Sequence, residues 1–149
     1  MNYLSRFVAH DSPEYKQAIQ LRYRLFYEEH GIKMDSVLTA REQSAQHLVI
    51  LKPDNRTVLA YGQLYRKSRS QYQIFQMVVE PAYQRQGLGS VVLDKLIKTV
   101  KYEKGGLLTL SARTTHTGFY EKFGFKIDGA VFPSSSTGVP HIKMIRQCA

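Results

Sequence analysis

The spacing of apolar positions first predicts a helix near the start of the chain. Ser12 is a typical N-cap residue and Pro13 suits the first position of a helix. Apolar residues then recur at helical intervals through Phe26, which predicts an amphipathic helix over residues 13–29. Residues 31–46 have no such spacing and predict a long connection, with room for a short helix near its end.

The next apolar stretches are short and separated by turn residues, as in strands. They cover residues 47–53, 57–67 and 71–80, with an Asp-Asn turn and a polar Ser-Arg-Ser-Gln turn between them. Because each connection is short, these three strands are expected to form an antiparallel meander.

The second half of the chain alternates strands and helices. The pattern predicts helices at 89–103 and 115–124 and strands at 105–112, 125–132 and 140–147. Together with the meander, this order predicts an α/β (α+β) fold, in which a mixed, mostly antiparallel sheet carries helices on both faces. At 149 residues the chain is expected to form one domain, 1–149.

Composition and charge narrow the classes of function. A hydrophobic content of 43% and a net charge of +9 describe a basic globular protein that attracts anions. No helix-turn-helix, zinc-finger or RNA-recognition motif accompanies the charge, so nucleic acid is not the expected partner. The apolar runs are too short to span a membrane, and neither a secretion signal nor a cysteine-based metal site is visible, since Cys148 is the single cysteine. A cytoplasmic protein without a metal is therefore expected.

A glycine-rich segment, residues 84–90 (the glycine loop), lies between a predicted strand and a predicted helix. Such a turn presents free backbone N–H groups and the positive end of the helix dipole, which together bind phosphate. A dinucleotide-binding loop would need a third glycine where Val92 stands, and no Gly-Lys-Ser/Thr triplet of a P-loop is present. The pattern that remains is Gln84-x-x-Gly87-x-Gly89.

This pattern resembles the Q/R-x-x-G-x-G/A motif of the GCN5-related N-acetyltransferase (GNAT) superfamily. A second segment, "GFYEKFGF" at 118–125, resembles that family's later motif and follows in the right order, so that the likeness spans residues 47–146. The resemblance implies the GNAT fold and acetyl-CoA as co-substrate. It places the coenzyme's pyrophosphate on the glycine loop, whose members are Gln84, Arg85, Gln86, Gly87, Leu88, Gly89 and Ser90.

A narrower likeness is to the ElaA/YjcF-like branch, and it rests on "LRYRLFYEEHGI" at 21–32, Glu42 before His47, and "TGVPHIKM" at 137–144. The Leu-Arg-x-x-x-Phe pattern at the start of residues 21–32 is also similar to one in acyl-homoserine-lactone synthases. Leu25-Phe26 replaces the usual Val-Phe, and Glu42 alone stands for the usual acidic pair. These departures leave the substrate open.

The family resemblance also implies a catalytic arrangement. The central strand pair is expected to splay, so that Met77, Val78 and Val79 border the pantetheine arm and the amide of Val78 or Val79 faces the thioester oxygen. Tyr120 is the candidate general acid that protonates the departing sulfur, because a phenol is protonated at neutral pH.

The general base and the acceptor are not specified by the sequence. Gln73 and Gln76 stand where some relatives carry a glutamate, which leaves as candidates Glu28, Glu29, His47, His116, His141 and a water relay. The expected acceptor is a small-molecule or peptide amine, and Arg22 and Arg24 either bind a substrate carboxylate or form structural ion pairs. A catalytically silent acyl-CoA-binding module, a longer-chain acyltransferase and a basic nucleic-acid-associated domain remain alternatives. A homodimer through the last strands is also open.

Overall fold

The strands form one mixed sheet in a computed structural model that describes residues 2–148, with the side chains of 36 and 37 left aside. The sheet order is β1-β2-β3-β4-β5-β8-β6, β7 also pairs with β8, and every pairing except β4–β5 is antiparallel. The strands are β1 Leu4–Val8, β2 Gln46–Leu51, β3 Val58–Ser68, β4 Gln71–Val79, β5 Leu107–Arg113, β6 Lys126–Ile127, β7 Phe132–Pro133 and β8 Pro140–Gln147.

Helices cover both faces of this sheet. They are α1 Pro13–Phe26, α2 Arg41–Ser44, α3 Leu88–Tyr102 and α4 Thr117–Glu121, with 3-10 turns at Glu28–His30, Met34–Val37, Pro81–Tyr83 and Thr114–His116. Alternate residues of β2 face opposite sides. Leu48 and Ile50 therefore join the α3 side of the core, whereas Val49 and Leu51 join the α1 side. The predicted fold class, with its meander and two-sided helices, is confirmed.

The central strands β4 and β5 pair only at their starts. Pairing runs from Gln71 to Gln73 on β4, opposite Leu107 to Thr109, and the strands then separate. Beyond this point β4 carries a bulge, where its register against β3 shifts and Gln76 adopts a φ of 57°. The expected splayed pair is therefore present, and we call the opening beyond Gln73 and Thr109 the β4–β5 gap.

The structure differs from the prediction at β1, at the predicted strand 125–132 and at the end of α1. Strand β1 was not predicted, because its five residues alternate too briefly to stand out. The predicted strand 125–132 is divided into β6 and β7, because Gly129 has a φ of 126° that an extended strand cannot continue through. Helix α1 ends at Phe26 rather than at 29, and the next residues form a 3-10 turn.

Candidate active site

The glycine loop has an open backbone. Arg85 and Gly87 have φ angles of 65° and 81°, and Gly87 is the N-cap of α3. Within residues 2–148 the amide N–H groups of residues 85–90 donate to no protein acceptor, and the first helical bond is Val91 N to Gly87 O at 3.1 Å. A row of free donors at the start of a 15-residue helix can bind an anion.

Two glutamine side chains of the loop hold it in place. Gln84 Nε2 donates to the carbonyl of Val79 over 3.2 Å, and Gln86 accepts from the hydroxyl of Tyr3. Leu88 is buried in the core, whereas Arg85 is exposed and Ser90 is half-buried. The loop is therefore tied to the end of β4, with its backbone left to make contacts.

Two amides of β4 face the β4–β5 gap. Glu80 N donates to Leu59 O on β3 over 2.8 Å, and N–H directions alternate along a strand. The amide of Val78 therefore also faces β3, whereas the amides of Val79 and Met77 face away from it, toward the gap. Of the two predicted oxyanion donors, Val79 has the required direction and Val78 does not.

Tyr120 lies on α4 beside the glycine loop. Its ring packs edge-on against Phe119 and Phe125, and a methyl group added at Gly89 would lie 3.7 Å from Cζ of Phe119. In the described part of the chain the Tyr120 hydroxyl has no hydrogen-bond partner, and burial raises its pKa. The phenol is therefore protonated at neutral pH and free to donate.

His47 is engaged as a structural residue, so the structure contradicts its candidacy as the base. It is 2% exposed, with Nδ1 at 2.6 Å from the Tyr61 hydroxyl and Nε2 at 2.7 Å from the carbonyl of Glu42. Burial lowers its pKa and keeps the ring neutral. Neither ring nitrogen is available to take a proton from an acceptor.

Three other base candidates are exposed or half-buried. Glu28 and Glu29 are exposed in the turn after α1, where Glu29 lies 3.4 Å from His30. His141 is half-buried at the start of β8, with Nδ1 at 2.7 Å from the carbonyl of Val139. The structure brings none of the three into contact with Tyr120, so the base stays a prediction.

Arg22 and Arg24 both have acidic partners. Arg22 is 1% exposed and bonds both carboxylate oxygens of Glu42, at 2.8 and 3.2 Å, while Tyr15 donates to the same carboxylate. Burial opposes ionisation of Glu42, but the bonds from Arg22 outweigh it and lower the pKa. Arg24 pairs with Glu80 at 3.2 Å. Arg22 and Arg24 were expected either to bind a substrate carboxylate or to form structural ion pairs, and the structure shows ion pairs.

One arginine near the gap was missed by the sequence reasoning. Arg113 ends β5, and its guanidinium carbon lies 5.9 Å from the centroid of the Phe26 ring at the end of α1. No motif marks it, and only its place at the end of a strand ahead of a turn could have drawn attention to it.

Comparison with known proteins identifies the class. The family model for the acetyltransferase (GNAT) domain matches residues 13–148, and the chain belongs to this family. A protein of Bacillus subtilis (strain 168) described as an acetyltransferase is 26% identical over 87% of each chain.

Solved structures share the fold. Escherichia coli ElaA superposes with a TM-score of 0.82 at 19% identity, over 97% of this chain and 99% of that one. An aminoglycoside 6'-N-acetyltransferase complexed with coenzyme A gives 0.74 at 16% identity, over 98% and 97%. GNAT enzymes use acetyl-CoA, so the chain is an acyl-CoA-dependent acetyltransferase by family.

Two further features bear on the class of site. In the stretch from residue 2 to residue 148, no cluster of three or more His, Cys, Asp or Glu side chains could hold a metal ion. Over the same stretch, no helix is both long and apolar enough to cross a membrane.

Proposed function

We propose that the protein moves an acetyl group from acetyl-CoA to a primary amine, which attacks the thioester directly within a ternary complex. The observation that supports this most is the β4–β5 gap, where the outward amide of Val79 adjoins the free amides of the glycine loop. Acetyl-CoA carries its diphosphate and its thioester carbonyl at separate points along one extended molecule. The glycine loop offers hydrogen-bond donors for the diphosphate, and the Val79 amide offers one for the carbonyl.

The residues present fit the co-substrate. The amides of residues 85–90 bind the diphosphate, supported by the α3 dipole. The open edge of β4 from Met77 to Val79 offers backbone N–H and C=O groups. The amides of the pantetheine arm can hydrogen-bond to them as an added β-strand would. Coenzyme A supplies the thioester, and the protein supplies orientation.

Two groups of the chain act on the reacting atoms. The Val79 amide donates to the thioester oxygen as negative charge develops there. Tyr120 gives its hydroxyl proton to the departing sulfur. The amine loses its proton to one of the surface candidates, Glu28, Glu29 or His141, or to water.

Thiol release from acetyl-CoA, measured across a panel of primary amines, tests the proposal. Tyr120→Phe should lower kcat by about 100-fold and leave the KM for acetyl-CoA unchanged, because the lost hydroxyl acts only in the chemical step. Tyr102→Phe is the matched control, since Tyr102 is 88% exposed at the end of α3. Normal turnover by Tyr120→Phe would remove Tyr120 from the mechanism, and no turnover with any amine would favour the silent acyl-CoA-binding module.

Other expectations from the sequence are retained as proposals: one domain over 1–149, a cytoplasmic location, a small-molecule or peptide amine as partner, and no nucleic-acid partner. Thermal stabilisation by acetyl-CoA without stabilisation by an oligonucleotide would support the last of these.

A further inference from the structure

Arg113 lies level with the catalytic edge of β4. The parallel register pairs Gln71 with Leu107 and Gln73 with Thr109. Continuing both strands in step, and allowing one extra residue for the bulge at Gln76, places Arg113 level with Met77 and Val78. Arg113 therefore lies across the β4–β5 gap from the outward amides.

The side chain of Arg113 points to the α1 face of the gap. Its neighbours on β5, Leu110 and Ala112, belong to the α3 side of the core, and alternate residues of a strand face opposite sides. The contact with Phe26, at the end of α1, agrees with this direction. The glycine loop and Tyr120 lie on the other face, with α3 and α4. Arg113 therefore lies on the face of the gap that is free of the glycine loop, and an acceptor that approaches from this face can reach it.

Arg113 has no anionic partner of its own. Among residues 2–148 it makes no salt bridge and no side-chain hydrogen bond, although it is half-buried, whereas Arg22 is paired with Glu42 and Arg24 with Glu80. A partly desolvated guanidinium is stabilised by a carboxylate held through two parallel bonds. Lys143 of β8 faces the same side of the sheet as Arg113, but it is paired with Asp128 at 3.5 Å.

We propose that Arg113 binds a carboxylate of the acceptor, so that the preferred substrates are primary amines that also carry a carboxylate. This rests on the proposed acetyl transfer. Glu28 and Glu29, which follow Phe26 in the chain, place negative charge at the same rim, where the ammonium end of such an acceptor is attracted. A polyamine without an anionic group has nothing to offer Arg113 and is repelled by it.

Matched amine pairs test the assignment. With acetyl-CoA saturating, γ-aminobutyrate is compared with butylamine, and phenylalanine with phenethylamine. The wild-type protein should favour the carboxylate member of at least one pair by about 10- to 100-fold in kcat/KM, the range for one charge-assisted contact. Arg113→Gln should lose that preference, Arg113→Lys should restore part of it, and neither should change turnover of the neutral amine or the KM for acetyl-CoA. Lys101→Gln removes the same charge from the exposed side of α3 and should keep the preference.

The outcomes separate this inference from the proposed function. Equal use of both members by the wild-type protein, or an equal loss for both in Arg113→Gln, overturns the role of Arg113 and leaves acetyl transfer intact. If no amine is acetylated, the proposed function fails and a binding assay decides the role of Arg113. In that assay γ-aminobutyrate, in the presence of coenzyme A, should raise the Tm of the wild-type protein and not that of Arg113→Gln. An equal rise in both, or in neither, refutes the carboxylate site.

Discussion

The two glycines of the glycine loop should respond differently to the same substitution. Gly89 lies in the first turn of α3 without a positive φ, and a methyl group there would lie 3.7 Å from Phe119 and 3.9 Å from Val79, which is ordinary contact. Gly89→Ala should therefore stabilise the free protein by about 0.5 kcal/mol, since alanine favours a helix. For a chain of this length that raises the Tm by about 2 °C.

If the diphosphate binds the glycine loop as proposed, the same methyl group would stand between it and the backbone amides. Losing one charge-assisted bond between amide and phosphate should weaken acetyl-CoA binding about 10-fold. At a ligand concentration of about 100 times the wild-type Kd, stabilisation by acetyl-CoA should fall from about 2.7 to about 1.4 kcal/mol.

Thermal unfolding with and without acetyl-CoA measures both effects. Gly87→Ala is the comparison, because its φ of 81° should cost about 1 kcal/mol of stability even without ligand, although nothing lies within 4 Å. A Gly89→Ala protein that is more stable and still shows the full acetyl-CoA shift would refute the placement of the diphosphate on this loop.

Two further predictions concern His47 and the bulge. Burial lowers the pKa of His47 below its usual 6.5, so the free energy of unfolding should fall as the pH drops below about 6.5, where the unfolded chain takes up the proton first. Chemical denaturation at several pH values should show this slope, and His47→Gln should flatten it; an unchanged slope in the variant would contradict the assignment. At the bulge, Gln76 has a φ of 57° and bonds the Tyr27 hydroxyl at 3.0 Å. Gln76→Ala and Gln76→Gly both lose that bond, but only glycine adopts a positive φ without strain. The glycine variant should therefore be more stable than the alanine variant by about 1 kcal/mol in urea unfolding. Equal stabilities of the two variants would show that the backbone at Gln76 is not strained.

Periodic and local signals were sufficient for most of the scaffold. Helix α3 was predicted at 89–103 and lies at Leu88–Tyr102, because its apolar face repeats through four turns. The free donors of the glycine loop could be predicted because they depend on the conformational freedom of glycine and on the unpaired N–H groups at a helix N-terminus. Both are local properties of the sequence.

What the sequence could not specify depends on contacts between distant segments. The engagement of His47 requires Tyr61 on the neighbouring strand and the carbonyl of Glu42, and neither contact has a periodic signal. The bulge is carried by Gln76, a residue type with no preference for positive φ. Arg113 is one of 21 lysines and arginines, and only the register of β5 against β4 distinguishes it from the others.

The bulge and the gap together account for how two molecules that each carry an anionic group could meet on one basic protein. From Gln71 to Gln73 the strand β4 pairs with β5, and past the bulge at Gln76 its outward amides are left without a partner strand, as expected where a bulge bends a strand. The gap opens to both faces of the sheet, with the glycine loop on the α3 face and Arg113 on the α1 face. If both proposals hold, the diphosphate and the acceptor carboxylate are neutralised on opposite faces, and their mutual repulsion does not oppose the approach of the amine to the thioester. Part of the net charge of +9 then has a function in binding both substrates at once.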